Sequence, residues 1–192
     1  MVRILGYGED ALTLWALEDR LSDILGVFQD KTSPSDCVIF YRPSFGRVGG
    51  EKSAEFGEFD AIFASLKNIY LIESKWDNLS GFRHDEVVII KEQELRHHIF
   101  SLYLMHWHRK HYDNWESFRK EYADDFKKLF QRKEIAPNGS LLSENLSFIL
   151  NALKSHCRKV SKNNVRNVLL FFYFMIKRKV CLQPKLKDIS SW

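Results

Sequence analysis

Apolar residues recur at helical spacing over residues 10–28, at Leu14, Leu17, Leu21, Ile24, Leu25 and Phe28. That spacing predicts one amphipathic helix. A polar stretch with a proline, DKTSPSD at 30–36, predicts a loop. Residues 37–45 (CVIFYRPSF) are strand-like, and Pro43 marks an edge or an irregular end. Residues 46–56 carry three glycines and several charges and predict an exposed, mobile loop. Two further strands are expected over about 56–64 and 69–76, then a polar turn over 77–85 and a short strand over 86–90.

The second half changes period. Leu95, Ile99, Leu102, Tyr103 and His106 mark a helix over 92–110, and Trp115, Phe118, Tyr122, Phe126, Leu129 and Phe130 mark another. A break at Ala136-Pro137-Asn138-Gly139 precedes a further helix with Leu142, Leu146, Ile149, Leu150 and Leu153 on one face. Residues 165–176 are apolar and aromatic apart from Arg166 and Asn167. They read as a buried strand, although periodicity leaves a buried helix open there. Phe171, Phe172, Tyr173 and Phe174 belong to this core segment and lack the polar alternation of a stacking platform. The order of helix, three strands, helices and strand predicts an α/β fold, a mixed central sheet flanked by helices.

Length and composition narrow the class. The chain has 192 residues, 45% hydrophobic and 14% aromatic, which suits one domain over 1–192 with a helical elaboration at about 111–162. The longest apolar run, 168–176, falls short of the roughly 20 residues a membrane helix needs. The first ten residues turn acidic before an apolar signal-peptide core could form. Cys37, Cys157 and Cys181 are odd in number and lack CxxC spacing, which fits a reducing cytoplasm. The net charge of +4 permits nucleic-acid binding without arguing for it alone. Nucleophile elbow, P-loop, dinucleotide fingerprint and EF-hand are all absent from the sequence.

The chemistry concentrates in Gly57-Glu58-Phe59-Asp60-Ala61-Ile62-Phe63 and Tyr70-Leu71-Ile72-Glu73-Ser74-Lys75-Trp76. Alternation along a strand puts Glu73 and Lys75 on one face and Ile72, Ser74 and Trp76 on the other. A hairpin turning symmetrically about Leu66-Lys67 sets Asp60 opposite Glu73 and Glu58 opposite Lys75. An odd-length loop would move Asp60 to a diagonal position. Ile62, Ile69 and Leu71 share the charged face, so that face is not wholly solvated. Crowded carboxylates repel one another, and a divalent cation such as Mg²⁺, which takes one or two carboxylates plus waters and phosphate oxygens, relieves the conflict.

Asp60, twelve residues, then Glu73-Ser74-Lys75 resembles the D-(x)n-E-x-K signature of the PD-(D/E)xK nuclease superfamily. Gly57-Glu58-Phe59-Asp60 is similar to the GE-x-D element of its RecB-like and Holliday-junction-resolvase-like branches. The helix opening near Gly8-Glu9-Asp10-Ala11 is similar to their first helix, and the resemblance spans about residues 8–100. It implies a restriction-endonuclease-like fold and an Mg²⁺- or Mn²⁺-dependent endonuclease acting on DNA and, by analogy, as a homodimer. It implies Asp60, Glu73 and Lys75 as catalytic residues. Asp60 and Glu73 would bind metal, helped by the backbone carbonyl of Ser74, with Glu9 and Glu58 as further ligands or partners. Gln93, opening the next helix, is an auxiliary residue; its bland reading is a solvated first turn. Phe59 stands at the nominal proline position, and the helical region over 111–162 has no counterpart in the resemblance.

Arg42, Arg47 and Lys52 frame the loop before the motif and are candidate DNA contacts, as is Lys159 in the basic run from Lys154 to Arg166. Lys177, Arg178 and Lys179 form another basic run, while acids gather between Glu116 and Asp125. His97, His98, His106, His108 and His111 lack a nearby cysteine and read as surface or phosphate-contacting residues rather than a zinc site. Two other classes stand beside the enzyme: a nucleic-acid-binding protein that does not cut, and an interaction module with a merely structural charged hairpin.

Overall fold

A computed structural model describes residues 8–46, 53–77, 90–112, 114–130, 133–157, 160–173 and 187–188. The protein is a mixed α/β fold in three layers. Two helices, α1 (Gly8–Asp19) and α2 (Leu21–Val27), lead into strands β1 (Val38–Tyr41), β2 (Ser44–Phe45), β3 (Gly57–Glu58), β4 (Ala61–Ala64) and β5 (Ile69–Asp77). Helices α3 (Lys91–Arg109), α4 (Trp115–Leu129) and α5 (Leu141–His156) follow, then β6 (Val165–Tyr173) and β7 (Lys187–Asp188). The main sheet has the order β1-β4-β5-β6-β7. Only β5 and β6 pair in parallel, and the other neighbours are antiparallel. A parallel pair needs a crossover, and here α3, α4 and α5 supply it.

Strand alternation divides the core. Ala61, Phe63, Tyr70, Ile72, Val168 and Leu170 face a layer holding Ala16 and Leu17 of α1 and Leu21, Ile24 and Leu25 of α2. Ile62, Ala64, Ile69 and Leu71 face the other layer, with Phe100, Tyr103, Trp107, Phe118, Phe126, Leu146 and Leu150. Asp30 ties the turn after β4 to α2's exit: its carboxylate accepts from Ser65 Oγ (2.6 Å), Asn68 Nδ2 (2.8 Å) and Tyr70 OH (2.9 Å).

Several sequence expectations change. The single helix over 10–28 is two, broken at Arg20, whose φ of −123° leaves the helical region. The break turns Leu21, Ile24 and Leu25 onto the sheet and leaves Leu14 exposed. The strands expected over 37–45 and 56–64 are each broken as well. Arg42 adopts φ +49° ahead of Pro43, and Gly57 adopts φ +101°. The antiparallel partnership bends there without ending. The Arg42 N–H donates to Asp60 O (3.1 Å) and the Phe59 N–H to Pro43 O (3.3 Å). Beyond the bend, Ser44 faces Glu58 and Phe45 faces Gly57 in a separate two-stranded sheet.

The end of the glycine loop is not exposed. Phe56 is buried, its ring stacked 4.8 Å from that of Phe45. Residues 165–173 are strand, which removes the helix alternative for them, and Phe171 and Phe172 are buried as expected. The expected turn over 77–85 and strand over 86–90 lie outside the described residues apart from Asp77, which ends β5, and Ile90, which caps α3. Among the described residues no helix is long and apolar enough to cross a membrane.

Candidate active site

The pairing of β4 with β5 has the register expected from a symmetric turn: Ala64↔Ile69, Phe63↔Tyr70, Ile62↔Leu71 and Ala61↔Ile72. The paired register ends there, one step short of Asp60 and Glu73. β4 ends at Ala61, whereas β5 runs on to Asp77. The N–H groups of Ser74 and Trp76, two residues apart, therefore point along an edge that β4 has left, and an orphaned N–H there is costly. Carboxylates cap both. Asp60 Oδ2 accepts from Ser74 N (2.6 Å), and Glu9 Oε2 accepts from Trp76 N (2.8 Å). Glu9 reaches β5 because α1 opens there, and Thr13, one turn on, donates to Ser74 Oγ (2.7 Å).

Asp60 is the electrostatic focus. Burial, followed by the charges of Glu73 and Glu9, pushes its pKa up from 3.8 to about 6. The Ser74 N–H and the ammonium of Lys75 oppose that rise. The charges of Glu73, Glu9 and Lys75 thus all act on Asp60. Lys75 is half-buried and has no hydrogen-bond partner among the described residues.

Glu73 points the other way from Ser74, as alternation requires, into the layer of α3. It is 1% exposed. Its Oε2 accepts from Gln93 Nε2 (2.8 Å), and its Oε1 accepts from Arg96 Nη1 (3.0 Å) and lies 3.2 Å from His97 Nε2. His97 Nδ1 lies 2.7 Å from Asn167 Oδ1 on β6. Phe59, buried in the bend, packs beneath this group, 4.9 Å from the His97 ring and 5.6 Å from the Arg96 guanidinium.

Three expectations are corrected. Glu58 does not face Lys75: the bend carries it into the second sheet, where it is exposed and pairs with Arg42 Nη2 (3.1 Å). Arg42, itself exposed, also pairs with Asp10. Gln93 is buried on Glu73 and not solvated, while its Oε1 accepts from Ile90 N. His97 is not a surface histidine, being 4% exposed. Of the others, His98 and His111 are exposed, His106 lies on the Tyr122 ring (4.0 Å) and His108 is half-buried. Arg47, Lys52 and Lys159 lie outside the described residues.

Sequence reasoning missed Arg96, His97 and Asn167. The i, i+3, i+4 spacing of Gln93, Arg96 and His97 was visible and puts all three on one helix face. Asn167 carried no signal, since only the parallel pairing of β5 with β6 brings it near.

Among the described residues no three His, Cys, Asp or Glu side chains form a group able to hold a metal ion. The acids of the site differ in how far their oxygens are engaged. Both oxygens of Glu73 are occupied, whereas Asp60 and Glu9 each have one oxygen on a β5 N–H and no second bond among the described residues. Two carboxylates with a spare oxygen suit Mg²⁺ or Mn²⁺, which take one or two carboxylates and complete their shell with water and phosphate oxygens. No family model, curated protein or solved structure matches this chain.

Proposed function

We propose that the chain is a restriction-endonuclease-like, Mg²⁺- or Mn²⁺-dependent endonuclease that hydrolyses DNA phosphodiester bonds. The observation that carries this reading is the setting of Asp60: a half-buried carboxylate on the Ser74 N–H, with Glu9 on the next such N–H of the same strand and the charges of Glu73 and Lys75 acting on it. A cluster of that kind is costly in a purely structural role and useful where a cation is to be held. The order of helices, β1, β4, β5, α3 and β6, with Asp60 before β4's first residue and Glu73 and Lys75 on β5, supports the superfamily resemblance.

Asp60 and Glu9 are the residues whose spare oxygens would hold the ion. When bound, it supplies Lewis acidity that polarises the phosphodiester and acidifies water. Lys75, held on β5 next to Asp60, orients the attacking water and offsets charge at the scissile phosphate. The backbone N–H groups of Ser74 and Trp76 fix the carboxylates in place. Cutting both strands calls for two such sites, hence a homodimer. A cytoplasmic setting suits the odd number of cysteines and their lack of CxxC spacing.

The saturation of Glu73 by Gln93, Arg96 and His97 favours a second reading, a nucleic-acid-binding protein on the same fold that does not cut. Incubation with supercoiled plasmid and branched DNA in Mg²⁺ or Mn²⁺ separates the two. Cleavage that falls by 100-fold or more in Lys75→Ala, with folding intact, is the expected result, since proton-transfer groups contribute roughly 10²–10⁴-fold. Binding without product in either metal establishes the second reading. A Lys75→Ala protein that cuts like its parent overturns the mechanism.

A further inference from the structure

Three acids sit at this site, and their hydrogen bonding sorts them into two kinds. The carboxylates of Asp60 and Glu9 each face a β5 N–H with one oxygen and make no other hydrogen bond among the described residues. Glu73 instead accepts from Gln93 and Arg96 and lies against the His97 ring nitrogen, all three on one turn of α3. An ion at Glu73 would have to displace them. Arg96 is the complementary oddity. Its side chain is 13% exposed, and it is fixed on one side by Glu73 and on the other by the Phe59 ring. Its Nε is buried without a hydrogen-bond partner among the described residues. A guanidinium has five N–H donors in a planar fork that matches a phosphate. Here one donor is engaged with Glu73, and the others are held in place with it.

We propose that Glu73 is a positioning residue that holds Arg96 for a phosphodiester oxygen of the nucleic acid, and that Asp60, not Glu73, meets the divalent ion. This assignment rests on the nuclease reading above. It makes Arg96 the substrate-binding cation of the site and Phe59 the surface against which it lies. It also explains why α3 begins with Gln93 and Arg96 on its inner face, since both keep the Glu73 carboxylate from rotating.

The full chain serves for the test, with Mn²⁺ alone and with a labelled DNA duplex in Ca²⁺ as probes. Thermal unfolding reads Mn²⁺ binding, and fluorescence anisotropy over a salt series reads DNA binding. Glu73→Gln keeps the shape of the side chain and is expected to retain the Mn²⁺-induced rise in Tm, while Asp60→Asn loses it. The double variant Glu73→Gln, Arg96→Met leaves no buried charge uncompensated. It is expected to retain the Mn²⁺ response, bind DNA at least tenfold more weakly, and show a salt slope lower by about one, the loss of one phosphate contact. Arg96→Lys keeps the ion pair but not the fork, and a tenfold weaker Kd is expected again. Loss of the Mn²⁺ response in Glu73→Gln or in the double variant makes Glu73 a ligand and overturns the assignment, while the nuclease reading stands. A double variant that binds DNA with the parent's Kd and slope makes Arg96 structural and overturns it too. A parent protein with neither Mn²⁺ response nor cleavage sinks the nuclease reading, and this assignment with it.

Discussion

Asp60→Asn should stabilise the protein above neutral pH. The side chain keeps its shape, and its amide oxygen can still accept from the Ser74 N–H. What disappears is a charge that the folded state disfavours. A carboxyl whose pKa is raised in the folded protein binds its proton more tightly there than in the unfolded chain. Its contribution is therefore favourable at low pH and is lost as pH rises from the unfolded value of 3.8 through the folded value of about 6. Displacement over that interval corresponds to about 3 kcal/mol at about 1.4 kcal/mol per pH unit. Asp60 is partly open to solvent, and screening reduces this to about 2 kcal/mol. Urea denaturation of both proteins between pH 4 and 8 reads the difference. The variant is expected to be more stable by about 2 kcal/mol at pH 7.5, with the gap closing toward pH 4. His106 and His108, whose proton affinity burial lowers, are common to both proteins and cancel in the difference. Mg²⁺ at ten times its Kd should add about 1.4 kcal/mol to the parent and nothing to the variant. A gap independent of pH, or a variant less stable at pH 7.5, would refute the reasoning.

Asp30 behaves in the opposite sense. Burial opposes its ionisation, but hydrogen bonds from Ser65, Asn68 and Thr32 hold its carboxyl well below the usual range. Its stabilisation is present above about pH 4 and is lost as pH falls below that, so Asp30→Ala should cost about 3 kcal/mol at pH 7. The same urea titrations check this, and the deficit should shrink in acid. Phe59→Ala empties a fully buried site between Phe45, Phe100 and His97. A loss of about 3–5 kcal/mol is expected from denaturation curves. Lys75→Ala, exposed to none of these packing terms, should leave the melting temperature within a few degrees while removing cleavage.

Much of the site was legible along the chain because its rules are local. A period of two separates Glu73 and Lys75 from Ser74 and Trp76 whatever surrounds them, and a symmetric turn at Leu66-Lys67 sets the register that puts Ala61 opposite Ile72, one step from Asp60 and Glu73. The helical periods over 92–110, 115–130 and 141–156 emerged for the same reason, since an apolar stripe has to find a core. Other features depend on contacts between distant segments. The bend at Arg42 and Asp60 takes Glu58 into another sheet, and it exists because Phe45, Phe56 and Phe59 bury themselves together under α3. Glu73 is saturated because α3 folds back across β5, and Asn167 joins the group because β6, more than ninety positions later, pairs in parallel beside it. Periodicity tells which face a side chain takes, but it carries no information about which element will cover that face, and at this site the covering helix decides which acid keeps an oxygen free.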